Sequence, residues 1–431
     1  MATRALSTFV LANFLGSCLS LAVPVVRQSG KVGVLDVSIP PNRNDDQYYT
    51  VDLDFDGQTV PVLLDTGSGD LFVGSNQCST TDPDSGCYNS PFYQITNETV
   101  IVANETFGTV VGVAGVNGNQ SIMPVDFGGV TIPDLATPLL YYAGKGEFQN
   151  GSFGGILGVS PRNVSRNYYF FERLPPIDAM ITEGLLEKPV FSLTLPRLGD
   201  PDSISGKLTL GAIEDAPIIG DISYNEIIDA PNYGYEDARL APMSWTSQLE
   251  GVRMNGVEIN MTQSSIDAQG RYLSLFDSGA QTILLRYQEF TAVAALFKGK
   301  TIVQDGYAVY FDCAEPQLLE LNYHGRWFAV DPLDLIIPSD HGVVNGTVMC
   351  KSALGTWSRT FADSIIGVPF MRNTLSVFDY VTEDLYSVQP RVGLGSLTDG
   401  AAAMESQNRW NDEQNFCHLD LRYRERTGGQ Q

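Results

Sequence analysis

The feature that most limits how this chain can fold occurs twice. An apolar run, VPVLLD, ends on Asp65 and turns through Thr66, Gly67 and Ser68. A second, YLSLFD, ends on Asp277 and turns through Ser278, Gly279 and Ala280. A carboxylate at the end of a buried strand is costly to desolvate unless neighbours donate hydrogen bonds to it. Each turn therefore has to supply donors from its hydroxyl and backbone N–H groups. One such turn, taken alone, is equally a strand-to-turn cap. The repetition goes further, because each aspartate is followed by two aliphatics and a glycine: Ile156-Leu157-Gly158 after Asp65, and Ile365-Ile366-Gly367 after Asp277. The glycines stand 93 and 90 residues beyond their aspartates, which are themselves 212 residues apart. These coincident features define an internal duplication, and a duplicated chain of 431 residues reads as two lobes.

Between these landmarks the chain consists of short apolar or alternating runs broken by 42 Gly and 23 Pro. YYTVDLDFDGQTVPVLLD, with Asp56-Gly57 at its centre, reads as a hairpin. The expected fold class is mainly β. Residues 1–22 read as a signal peptide: Arg4, an apolar stretch from Phe9 to Leu21, and the small-residue site Ser20-Leu21-Ala22. No later run is long and apolar enough to span a membrane, and the polar tail lacks a GPI signal. The chain is expected to be secreted, with a vacuole-like compartment as the other destination. Of six cysteines, Cys18 leaves with the signal. The spacing pairs Cys78 with Cys87 and Cys313 with Cys350, loops worth roughly 2.5 and 4 kcal/mol in a chain-entropy model. Cys417 is then either a free thiol or paired outside the chain. Seven N-x-S/T sites, at Asn97, Asn104, Asn119, Asn150, Asn163, Asn260 and Asn345, suit a secreted glycoprotein. With 26 basic against 50 acidic residues the net charge is −24, which argues against binding a phosphate backbone. Few basic groups also suit an acidic medium, where more would add self-repulsion.

On these residues the chain resembles the pepsin-like aspartic proteases, from about Val34 to Leu397. Asp65-Thr66-Gly67-Ser68 and Asp277-Ser278-Gly279 match the two active-site motifs, and the two aliphatic-glycine segments match strands crossing behind them. GKLTLGAIE (206–214) resembles the strand that opens the second half, FMRNTLSVFDY (370–380) the penultimate segment, and both cysteine pairs sit where the family has disulfides. The resemblance implies two β lobes related by a pseudo-twofold axis, with a central cleft and one aspartate from each lobe. The expected organisation is 1–22 signal, 23–33 short N-terminal segment, 34–200 and 201–397 lobes, and 398–431 polar tail. It also implies that Thr66 and Ser278 cross-link the loops through their hydroxyls. Two carboxylates about 3 Å apart repel by roughly 5 kcal/mol at an effective dielectric near 20, so the pair shares a proton. An acid optimum follows as an expectation.

The pattern departs from the family in four places. Ala280 stands where the family usually has Ser or Thr, which removes a hydroxyl donor from one loop while Ser68 keeps it in the other; the upper pKa of the pair should rise. In the flap segment NETFGTVVGVAGVN (104–117), with Phe107, Gly108 and Thr109 as substrate-facing candidates, Phe107 replaces the family's Tyr. Phe72 stands where the family often has Trp, the polar partner of that Tyr. Losing both partners of a hydrogen bond together is nearly neutral, whereas losing one strands a polar group. Only about ten residues separate Ala22 from the first lobe, so a basic propeptide is not expected.

The first reading is therefore an aspartic endopeptidase acting on extended peptides, without metal or cofactor, without an obligate partner, and monomeric. A weakly catalytic or inactive binding protein on the same scaffold is the alternative, and a two-carboxylate glycosidase leaves the duplicated loops unexplained. His324, His341 and His418 have neither nucleophile nor metal-ligand spacing, and the glycine-rich stretches lack a phosphate-loop lysine. Asp70 reads as an exposed turn acid rather than a group tuning the cleft. The aromatic run NYYFFERLPPIDAM (167–180) either packs or lines the cleft rim.

Overall fold

A computed structural model describes residues 30–40, 47–112, 114–144, 151–197, 204–228, 244–299, 301–304, 307–358 and 361–405. The signal segment, Asn150, Cys417 and His418 lie outside the described residues.

The fold is mainly β and bilobal, and each half is organised around its aspartate strand. In the first half, Thr50–Phe55 and Gln58–Asp65 form the hairpin expected from Asp56-Gly57, whose φ values of 51° and 80° suit a tight turn between twisted strands. Val51, Leu53, Phe55, Val60, Val62 and Leu64 are buried, the period-2 pattern of strands with one face inward. The sheet continues Gln58–Asp65, Gly155–Gly158, Leu71–Gly74, Leu139–Ala143, Ala114–Asp126, Val100–Val111, and Thr50–Phe55 also pairs with Ala114–Asp126, bending the sheet toward closure.

The second half repeats the centre of that order: Leu273–Phe276, Ser364–Ile366, Ile283–Arg286, Leu354–Trp357. In both halves the first pair is parallel, the second antiparallel and the third parallel. A sheet whose neighbours alternate in this way is hard to reach twice by accident. The repeat that the aspartates and glycines mark in the sequence is thus a repeat of strand order and direction.

A six-stranded sheet joins the halves, in the order Gly33–Val37, Gly206–Leu210, Val190–Thr194, Thr374–Asp379, Arg391–Ser396, Ile219–Glu226. Gly206–Leu210, which the resemblance reads as the strand opening the second half, is the middle strand of the first triplet. Leu208 lies opposite both Leu35 and Leu193, and all three are buried, so the apolar match to two first-half strands decides its place. Behind this sheet Trp245 meets Phe191, Phe378 and Tyr380 at centroid distances of 5.8, 5.0 and 5.2 Å. Its indole N–H donates across the halves to the Val159 carbonyl at 3.0 Å. The disulfides Cys78–Cys87 and Cys313–Cys350 are formed, with Cα separations of 5.4 and 5.1 Å. No described helix is long and apolar enough to cross a membrane.

Candidate active site

Each aspartate sits where its central strand leaves the sheet. Asp65 lies opposite Gly158, and the Asp277 N–H donates to the Ile366 carbonyl at 3.0 Å. The glycines that follow are demanded by space rather than by conformation. A Cβ on Gly158 would fall 2.6 Å from the Asp70 nitrogen, and one on Gly367 would fall 2.3 Å from the Ala280 carbonyl oxygen. The strand behind each loop therefore passes at backbone contact distance.

The two loops meet through their second residues, both fully buried. The Thr66 N–H donates to Ser278 Oγ at 3.0 Å, and the Ser278 N–H to Thr66 Oγ1 at 2.9 Å. Each hydroxyl then donates across the junction, Thr66 Oγ1 to the Phe276 carbonyl at 2.9 Å and Ser278 Oγ to the Leu64 carbonyl at 2.8 Å. Four reciprocal bonds, using both N–H groups and both hydroxyls, hold the two aspartate loops together. The third residues enforce closeness: a methyl on Gly67 would lie 2.5 Å from Asp277 Cγ, and one on Gly279 would lie 2.8 Å from Asp65 Oδ1. Each carboxyl thus packs on the glycine of the opposite loop.

The donors differ. Asp65 accepts from the Gly67 N–H at 2.8 Å and from Ser68 Oγ at 2.5 Å. Asp277 accepts from the Gly279 N–H at 2.9 Å, and Ala280 offers only its backbone N–H. Burial, then the charge of Asp65, then the hydrogen bond between the two carboxyls push the Asp277 pKa well above the usual carboxylate range.

The flap candidate is the hairpin of Val100–Val111 and Ala114–Asp126. Phe107 and Phe72 are both buried, with ring centroids 5.4 Å apart, so the two apolar replacements face each other and pack. Gly108 and Thr109, half-buried, carry the strand on toward the turn. The Gln120 amide donates to Asn167 Oδ1, and Arg173 pairs with Glu105 at 3.3 Å, tying both flap strands to the helix Arg166–Phe171 and its exit.

Asp70 is not exposed. It accepts from Ser165 Oγ at 2.6 Å and from the N–H groups of Arg166 and Asn167 at 2.8 and 3.1 Å, at the start of that helix. Burial pushes its pKa up, and these donors oppose the shift. Its partners lie about a hundred residues away, so no local pattern announces them; the clue was its position against the apolar run Leu71-Phe72-Val73. Of the aromatic run, Tyr169 and Phe170 are exposed while Ile177, Asp178 and Met180 are buried, so its second half packs. Asp178 was missed altogether. It is fully buried in helix Pro176–Thr182 and accepts from Tyr386 at 2.7 Å and Tyr380 at 3.4 Å, both from the second half; burial raises its pKa to about 6. His324 is an exposed turn residue with φ 52°, and the described residues hold no cluster of metal-ligating side chains. Beside the second loop, Gln281, Thr282, Leu284, Tyr307, Lys351 and Thr356 help line a hollow of about 480 Å³.

The sequence matches the eukaryotic aspartyl protease family over residues 47–388. Among curated relatives, a probable aspartic-type endopeptidase of Aspergillus fumigatus is 26% identical over 77% of this chain and 76% of its own length. Cathepsin D of Dictyostelium discoideum is 26% identical over 68% and 70%. Napsin-A of Mus musculus is 26% identical over 81% and 77%. The chain belongs to the eukaryotic aspartyl protease family.

Proposed function

We propose that this protein is an exported, monomeric aspartic endopeptidase that hydrolyses extended peptides at acid pH through Asp65 and Asp277. The observation that carries this reading is the asymmetric pair itself: two carboxyls each packed on the glycine of the opposite loop, one supplied with a hydroxyl donor and the other with backbone N–H groups alone. In the reaction, the ionised member of the pair takes a proton from a water while the protonated member donates to the scissile carbonyl oxygen. The water oxygen bonds to the carbonyl carbon, giving a tetrahedral diol without an acyl-enzyme. Return of the proton to the amide nitrogen lets the C–N bond break, leaving a carboxylic acid and an amine. The dyad must carry one proton, so activity belongs to acid pH. The hairpin at Phe107, Gly108 and Thr109 covers the peptide, and the hollow beside Gln281 and Thr282 receives one of its side chains. Both disulfides fit an oxidising compartment, and relatives include a vacuolar aspartic protease of Candida albicans, so export to a vacuole or to the medium are both compatible.

The test is cleavage of denatured haemoglobin between pH 2 and 7, with and without a statine-type mimic, for the wild type, Asp65→Asn and Asp277→Asn. Acid cleavage abolished by the mimic and by each substitution is expected. A folded protein that binds the mimic but cuts nothing at any pH would overturn the proposal in favour of a peptide-binding relative.

A further inference from the structure

We infer that Asn104 and Asn345 carry N-linked glycans that shield the two longest outer strands of the protein from edge-to-edge pairing. The inference rests on the export proposed above, which brings the chain to the glycosylation machinery.

An outer strand presents unpaired N–H and C=O groups, and the hazard of pairing with another copy grows with its length and exposed apolar content. Among the described outer strands, Val100–Val111 has 12 residues and Ile336–Val344 has 9. They also carry the two most exposed aliphatic side chains among the described residues, Val110 at 68% and Val343 at 69%. Each has an exposed sequon at an irregularity in its own backbone. Asn104, with φ 64°, lies where the pairing of Val100–Val111 slips between Ile101 and Thr106. Asn345, with φ 52°, is followed by Gly346 at 82°, the tip of the hairpin that begins with Ile336–Val344. At both places a sugar extends into solvent without displacing a side chain, and a bulky, hydrated group there stands beside the free edge.

Other positions respect the same logic. The next longest outer strand, Ile219–Glu226, has 8 residues and no sequon, but Arg326 donates to its Ile219 and Asp221 carbonyls and occupies that edge. Asn119 is half-buried in Ala114–Asp126, which is paired on both sides, and the hydroxyl of its sequon, on fully buried Ser121, donates to the Thr137 carbonyl. Asn163 is half-buried beside Ser165, the cap of helix Arg166–Phe171. Asn97 is exposed in the turn leading into Val100–Val111, at the same edge as Asn104. Asn260 is exposed beside a strand of only 2 residues, which offers little edge to guard.

The experiment maps glycan occupancy on the full chain secreted from a eukaryotic host, by enzymatic release in heavy-oxygen water and peptide mass spectrometry. It then compares self-association of the wild type, the Asn104→Gln/Asn345→Gln double variant and Asn119→Gln by light scattering. Label at Asn104 and Asn345 but not at Asn119 is expected, with oligomers growing about tenfold faster in the double variant alone. Should the double variant not be secreted, trimming the glycans of the purified wild type to single N-acetylglucosamine residues makes the same comparison. A secreted chain bare at either asparagine, or a trimmed protein that stays monodisperse, overturns the inference while leaving export intact. A chain retained in the cytosol with no sugar at any sequon overturns both.

Discussion

Asp65 and Asp277 leave their strands through the same turn, each accepting from the N–H two residues on, at 2.8 and 2.9 Å. Their next neighbours differ: Ser68 adds a hydroxyl at 2.5 Å, where Ala280 adds a methyl. A symmetric backbone is thus given an asymmetric set of donors by one side chain. The comparison teaches that duplication fixes geometry, while roles within the geometry are assigned by single substitutions at its periphery.

The largest expected effect breaks the pair outright. Asp65→Asn and Asp277→Asn should each lower kcat/KM on a peptide substrate by on the order of 10⁴-fold. Circular dichroism should be unchanged, because the cross-loop bonds of Thr66 and Ser278 involve neither carboxyl. One variant retaining near-wild-type turnover would show that the two loops are not partners.

A second carboxyl extends the comparison to the seam between the halves. Folded, Asp178 holds its proton up to about pH 6; unfolded, it releases it near pH 4. The folded state binds more protons in that window, so its contribution is fully present below about pH 4. It is lost as pH rises through about 6, at a cost of roughly 3 kcal/mol. Relative to wild type, Asp178→Asn should gain about that much in unfolding free energy between pH 3.5 and 7. Equal denaturation midpoints for the pair at both pH values would rule it out.

Ala280→Ser sharpens the loop comparison directly. Restoring a donor stabilises the anion, so the alkaline limb of the pH–rate profile should move to lower pH by roughly one unit. An unmoved limb would mean that burial alone sets the asymmetry.

The smallest effect concerns Phe107 and Phe72. Phe107→Tyr buries a hydroxyl and should cost roughly 1–2 kcal/mol, part of which Phe72→Trp recovers as its partner. Strict additivity in the double-mutant cycle would deny that the two positions are coupled.

The sequence made the repeat, the mainly β class, the Asp56-Gly57 hairpin and the family legible, because each depends on local composition or on spacing that survives duplication. What it hid depends on long-range contact. Asp70 looked exposed because its donors come from Ser165, Arg166 and Asn167. The sheet position of Gly206–Leu210 was hidden because one of its two matching leucines, Leu35, lies 173 residues back in the chain. Asp178 carried no motif, since its hydroxyl donors arrive from Tyr380 and Tyr386.

The six-stranded sheet also dictates an order of events as the chain leaves the ribosome. Its first triplet can close once Leu210 has emerged, but the outer side of Val190–Thr194 waits for Thr374–Asp379. That partner arrives about 160 residues later, roughly 10–30 s at ordinary rates of synthesis. For that interval the nascent first half displays a bare strand with buried-type side chains. It is a natural client for a holding chaperone until translation supplies the missing neighbour.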